Sequence, residues 1–202
     1  MGHSRAFWFV AIGASGPEGL RSLLELLTCL PSSLSAVVLV VLHRAWGSHS
    51  YLKEILGSAT KLPVIIAIDG ARFEAGNVYI GEPSEHLTLA AKSCIEIVSD
   101  PGRRYGNRTV DLLFKSVAAH AKQCTIGVVL AGGLDDGSRG LAAIHSAGGL
   151  TMALTPTLGE RGMPENAIAY DGPINVIGNP HEIAAAITLA VTPRPAAGRP
   201  LC

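Results

Sequence analysis

Phe7-Trp8-Phe9-Val10-Ala11-Ile12-Gly13-Ala14-Ser15-Gly16-Pro17-Glu18 is the stretch that decides the fold. Residues 7–12 are apolar without a break, as a strand covered on both faces requires; a half-exposed strand would alternate. Gly13 bounds the run, and Pro17 suits the first turn of a helix, where its missing N–H costs nothing. Glu18, three residues after Ser15, completes the pattern of a capping box. Residues 7–12 also resemble the short core of a signal peptide behind Arg5, but the bounding glycine favours the strand. A buried strand feeding a helix over 17–29 is the opening unit of a parallel sheet.

The same alternation continues down the chain. Strands are predicted over 36–42, 64–68, 125–130 and 150–154, and helices over 48–58, 109–121, 138–147 and 180–191. The helix over 109–121 carries Val110, Leu113, Phe114, Val117 and Ala121 on one stripe, with Asp111 and Lys115 expected as an i,i+4 pair away from it. Strand–helix alternation of this kind means right-handed crossovers and an α/β fold. The expected architecture is one doubly wound, mostly parallel sheet with helices on both faces. Residues 70–100 interrupt the rhythm. Gly76-Asn77 and Gly81 punctuate short strands at 78–80, 86–90 and 95–98, which read as an antiparallel hairpin insertion. A single domain is expected over 1–191, followed by a disordered Pro-, Ala- and Gly-rich tail at 192–202.

Composition limits the function. In 202 residues, 48% hydrophobic and 16% charged, 16 basic side chains balance 16 acidic ones. Such a chain is not disordered, and it lacks the bulk positive field of a nucleic-acid binder. Arg103, Arg104 and Arg108 form a local basic group, read first as a solvated loop and second as one wall of a substrate cleft. No apolar run approaches the roughly 20 residues that span a bilayer, so a cytoplasmic protein without membrane insertion is expected. Cys29, Cys94, Cys124 and Cys202 show no zinc spacing, and the histidines are scattered. No metal and no cofactor are expected.

In an open α/β sheet, ligands bind outside the carboxyl ends of the strands. The first predicted strand leads into Ser15, the second into His43, and that over 125–130 into Ala131-Gly132-Gly133-Leu134-Asp135-Asp136-Gly137. These are the residue types of a serine hydrolase, in which an acid orients an imidazole and the imidazole activates a hydroxyl. Each also has a plainer reading: Ser15 as a helix cap, His43 as a strand end, Asp136 as a turn former beside Gly137. A second reading is nucleotide binding, from Gly13-x-x-Gly16-x-x-Gly19 after the first strand and His43-Arg44 after the second.

Taken in order, the motifs resemble the catalytic domain of the chemotaxis protein-glutamate methylesterase (CheB) family. Ile12-Gly13-Ala14-Ser15 is similar to its nucleophile turn, and residues 38–43 to the strand ending in its histidine. Val78-Tyr79-Ile80-Gly81 with Glu85-His86-Leu87 resembles its hairpin insertion. Arg108-Thr109-Val110-Asp111 looks like its Arg-Pro-Ser-Val-Asp helix start, Asp136-Gly137 like its acid turn, and Gly162-Met163-Pro164 like its Gly-Met-Pro segment. The resemblance implies Ser15 as nucleophile, His43 as general base and acid, and Asp136 as orienting acid. It further implies Gly16 and Gly133 beside the oxyanion, and substrate contacts from Arg104, Arg108 and Met163. The implied reaction is demethylation of glutamyl methyl esters, or deamidation of glutamines, on the cytoplasmic helices of chemoreceptors. A non-catalytic receptor-binding module of the same fold is the alternative.

Two departures fall beside the expected oxyanion. The family's Ser-Thr-Gly-Gly reads Ser15-Gly16-Pro17-Glu18, and its Thr-Gly-Met-Gly-x-Asp-Gly reads Ala131 to Gly137 with Gly133 in place of Met. They imply a slow esterase that a Gly16→Thr change would speed if Pro17 leaves the turn geometry intact. The quoted motifs belong to the catalytic domain; none matches the family's phosphorylated receiver domain, so control by a receiver is not expected within this sequence.

Overall fold

The structure is a computed structural model that describes residues 7–43, 50–83, 85–100, 102, 104–106, 108–157 and 161–192. Seven strands form one sheet in the order β3-β4-β2-β1-β7-β8-β9, every pairing parallel. They are β1 (Trp8–Ser15), β2 (Ala36–His43), β3 (Val64–Ile66), β4 (Val78–Ile80), β7 (Thr125–Val129), β8 (Leu150–Leu154) and β9 (Val176–Gly178). A separate antiparallel pair joins β5 (Glu85–Ala90) to β6 (Cys94–Ser99). The helices are α1 (Gly16–Cys29), α2 (Leu52–Ala59), α3 (Thr109–Ala121), α4 (Ser138–Ser146), α5 (Met163–Ala169) and α6 (Pro180–Val191).

The sheet divides the core in two. On one face Leu23, Leu26 and Leu27 of α1, Leu56 of α2 and Ile183 and Ile187 of α6 pack against Val10, Ile12 and Val38. On the other, Leu113, Phe114 and Val117 of α3, Ile144 of α4 and Leu87 and Leu89 of β5 pack against Phe9, Ala11 and Leu39. Helices thus cover both faces, as the apolar strands require.

The hairpin expected across 70–100 is smaller than the sequence suggested. Residues 78–80 are not part of it: as β4 they lie inside the main sheet between β2 and β3, buried on both faces. Gly76, at φ 83°, turns the chain into β4, its N–H on Ala36 O at 2.8 Å. Only β5 and β6 are antiparallel. Strand β9 and helix α5 were not expected as regular elements; both are short. The start of the predicted helix at 48–49 and the tail at 193–202 lie outside the described residues.

From β1 the chain moves outward through β2, then returns to place β7 on β1's other side. The order reverses between β1 and β7, with α1 leaving on one face and α4 on the other. That crevice is where a doubly wound sheet receives ligands.

Candidate active site

Ser15 ends β1 and is the residue before α1. Its N–H donates to Ala131 O (3.0 Å), tying the end of β1 to the end of β7. The capping reading fails: Ser15 has the extended backbone of an N-cap, but its side chain makes no capping hydrogen bond. Glu18 instead pairs with Arg21 at 2.8 Å on the surface. The Ser15 hydroxyl therefore serves no turn of helix. The backbone passes through Gly16 at φ 70°, a left-handed conformation that a β-branched residue resists. A Cβ on Gly16 would meet nothing within 4 Å, so conformation, not space, requires glycine.

The other glycines of the loose nucleotide pattern have packing reasons. A Cβ on Gly13 would lie 2.2 Å from Val110 Cγ1, and one on Gly19 2.4 Å from Ala131 O. The spacing brings β1 under α3 and α1 onto the end of β7.

His43 stands beside Ser15 in the strand register, as the last residue of β2. Its Nε2 is 2.8 Å from Asp136 Oδ2. Asp136, expected as the orienting acid, is buried, whereas its neighbour Asp135 is half-buried and faces Arg139 at 3.6 Å. Asp136 also accepts the N–H of Val110 (2.8 Å, Oδ2) and of Asp111 (2.8 Å, Oδ1). These are first-turn amides of α3, which have no partner inside the helix and sit at its positive end.

The exchange is reciprocal. Asp111 Oδ1 accepts from Gly137 N (3.0 Å) and Gly140 N (2.7 Å), at the start of α4. Each carboxylate thus binds the amino end of the other's helix. Asp111, expected on the solvent side as partner to Lys115, is buried. Its Oδ2 makes no hydrogen bond and has Arg108 and Arg139 guanidinium nitrogens at 3.8 Å. Burial pushes the Asp111 carboxyl above its ordinary value, with the Asp136 charge adding, against the amide hydrogen bonds of Gly140 and Gly137. Sequence reasoning missed this network. Its one signal was an acidic residue in the first turn of an apolar helix.

A cleft of about 660 Å³ opens from Ser15 over the ends of β7 and β8. Gly16, Gly132, Gly133 and Thr155 line it, with Arg161, a cation that sequence reasoning did not select. Glu165 also borders it, but its carboxylate is held by the N–H groups of Gly162 (2.9 Å) and Thr157 (3.2 Å). Gly132 lies closest to the serine: a Cβ there would come within 2.7 Å of Ser15 Cβ.

Three expected substrate contacts are placed elsewhere. Met163 is fully buried at the start of α5, its N–H on Gly132 O (2.7 Å), and it supports the glycine loop from beneath. A methionine in a first turn that faces the core is apolar filling. Arg108 leans toward Asp111, and neither it nor Arg104 lines the cleft. The Arg104 N–H donates to Asp100 Oδ1 (2.7 Å). Arg103 and Arg44 lie outside the described residues. Gly133 does line the cleft, opposite Gly162 in an isolated antiparallel bridge. Among the described residues no cluster of three or more His, Cys, Asp or Glu could hold a metal ion. No helix there is long and apolar enough to cross a membrane.

Fold and site place the molecule among doubly wound α/β proteins that carry a serine, a histidine and an aspartate at the switch point. The CheB methylesterase family profile matches residues 10–187. The protein-glutamate methylesterase/protein-glutamine glutaminase 1 of Bordetella avium is 35% identical over 169 residues, 83% of this chain and 49% of its own. The corresponding protein of Salmonella typhimurium is 34% identical over 174 residues, with the same shares. The crystal structure of the Thermotoga maritima CheB methylesterase catalytic domain superposes with a TM-score of 0.81 at 30% identity, covering 92% of this chain and 99% of that one. The chain belongs to the CheB methylesterase family, and it spans about half the length of the curated relatives it matches.

Proposed function

We propose that the protein is a serine hydrolase that removes methyl groups from glutamyl methyl esters of chemoreceptors, and that it deamidates glutamines at the same site. The observation that carries this reading is the 2.8 Å contact of His43 Nε2 with Asp136, on the residue that pairs in register with Ser15. With Nε2–H donated to the carboxylate, Nδ1 is the ring nitrogen that takes the Ser15 proton. Asp136, held by two amide donors, stabilises the imidazolium that forms.

Ser15 Oγ attacks the ester carbonyl. Methanol leaves with the proton from His43, and a glutamyl ester of Ser15 remains. Water, deprotonated by His43, then attacks that ester, and the proton returns to Ser15 Oγ. The sum is one ester and one water to one carboxylic acid and one methanol; a glutamine yields ammonia instead. The Gly16 N–H, in the first turn of α1, and the backbone at Gly133 are the donors proposed for the oxyanion. Pro17 offers no N–H, which leaves Gly16 as the donor next to the nucleophile. Substrate enters by the cleft over β7 and β8, and the site of action is the cytoplasm.

The test is labelling by a fluorophosphonate, mapped by mass spectrometry, together with methanol release from a methyl-esterified receptor fragment. Modification at Ser15, and loss of both in Ser15→Ala at equal folded concentration, is the expected result. Methanol release unaffected by Ser15→Ala removes the covalent mechanism.

A further inference from the structure

Four described residues other than glycine have positive φ: Lys92, Ser93, Lys122 and Leu134. The first three are polar. Leu134, at φ 69°, is apolar, and it is 63% exposed. An exposed leucine alone means little, since much of any protein surface is apolar. A leucine in the left-handed region is different: its Cβ crowds the backbone, and here its side chain gains no burial in return. The conformation is nonetheless held. Asn166 of α5 donates its Nδ2–H to Leu134 O at 2.7 Å, and the preceding Gly133 is bridged to Gly162.

The position is the rim of the site. Gly133 lines the cleft with Ser15, and Asp136, two residues on, holds His43. A Cβ at Gly133 would meet nothing within 4 Å, so the residue before Leu134 is open to an incoming group. Strain and exposure that the fold does not use point to a ligand that does.

We infer that Leu134 is a specificity-determining contact for a helical protein substrate, a reading that rests on the esterase function proposed above. It packs against an aliphatic side chain one turn away from the glutamyl residue whose ester lies over Ser15. On a helix, residues three or four positions apart share a face, which lets one helix supply both the side chain at the rim and the ester in the cleft. The glycines at 132 and 133 let that helix approach closely.

The experiment uses a synthetic helical peptide with one glutamyl methyl ester flanked by leucines at i±3 and i±4, a second peptide with serines at those positions, and p-nitrophenyl acetate. Leu134→Gly and Leu134→Asn both relax the backbone, so folding is not at issue. The expected result is a fall of about tenfold in the ratio of kcat/KM for the leucine-flanked peptide to that for p-nitrophenyl acetate, with no fall for the serine-flanked peptide. An unchanged ratio overturns the inference and leaves the esterase reading standing. Binding of the leucine-flanked peptide to Ser15→Ala, by fluorescence anisotropy, separates the two claims further. If the wild type hydrolyses no peptide ester but Ser15→Ala binds the peptide and loses affinity with Leu134→Gly, the contact stands and the esterase reading falls. If the peptide is neither bound nor hydrolysed, the inference is overturned.

Discussion

The molecule contains two histidine–aspartate pairs built on one plan. His43 meets Asp136 at 2.8 Å, and His86 meets Asp100 at 3.3 Å, in both cases through Nε2 and Oδ2. Each aspartate also accepts two backbone amides: those of Val110 and Asp111 on Asp136, those of Arg104 and Tyr105 on Asp100. Their surroundings differ. His86 is buried in β5 with the Tyr105 ring edge-on at 5.4 Å, and the pair fastens the hairpin to the loop before α3. His43 is part exposed and stands at the end of β2 beside a serine that caps nothing. The two pairs thus share their bonding pattern, and the imidazole proposed as reactive differs from the structural one in its surroundings.

The comparison breaks most sharply at the histidines. His43→Gln is expected to lower kcat by about 10²–10⁴ with little change in stability, as loss of a general base does. His86→Gln is expected to leave kcat per folded molecule near wild type and to cost about 1–2 kcal/mol of stability. Ester hydrolysis and urea unfolding of both variants decide; equal losses of kcat would dissolve the distinction. Asp136→Asn should fall in the range of His43→Gln, since a neutral amide no longer fixes the tautomer or balances the imidazolium.

A middle-sized effect is expected at Asp111. Asp111→Ala removes the acceptor of the Gly137 and Gly140 amides and should cost about 2–3 kcal/mol in urea unfolding, with kcat falling as Asp136 loosens. A variant that folds with wild-type stability would mean that the start of α4 is held by other contacts.

The acidic side of the pH profile sharpens the contrast further. Burial raises the Asp100 carboxyl, but the amides of Tyr105 and Arg104, with His86, outweigh it and hold the group below its ordinary value. The unfolded chain then binds the proton first as pH falls, so the stability from Asp100 is present above about pH 4 and is lost below. Asp111 runs the other way. Raised in the folded state, it keeps its proton after the unfolded chain has released one, so its contribution shrinks as pH climbs above about 4. Urea unfolding between about pH 3 and 6 should show a flatter rise in stability for Asp100→Asn and a steeper one for Asp111→Asn.

The smallest effects are expected at the glycine turn. The structure reverses the expectation that Gly16→Thr would speed the reaction: at φ 70° it should cost about 1 kcal/mol or more and lower activity. Gly133→Met, with open space at its Cβ, should fold as the wild type does and change only the rate. Thermal unfolding and ester hydrolysis of the two variants check both.

How far the sequence carried depends on whether a residue's task is local. Unbroken apolar runs and helical stripes reveal strands and helices because burial on one or both faces is written in the period, and the closeness of Ser15, His43 and Asp136 is legible because each lies at or beyond the carboxyl end of a strand. Residues 78–80 were misplaced because three residues carry no period and Gly76-Asn77 turns a hairpin or a crossover equally well. Asp111 was read as a surface partner of Lys115 because helical spacing is visible and the approach of Gly137 and Gly140 is not. The Gly162-Met163-Pro164 motif borders the site and so suggests a substrate contact, but the Met163 side chain lies buried under the glycine loop.

The bond between His43 and Asp136 joins positions 93 residues apart, and β1 meets β7 only after β2, β3 and β4 have been made. During synthesis β1, β2, β3 and β4 can pair while the outer edge of β1 still waits, a row of unmatched amides and carbonyls on a buried apolar strand. Closing so long a loop is slow. Ester hydrolysis would therefore appear last in refolding, after helix content has returned, and mild chaperone dependence would concentrate in the interval before β7 docks.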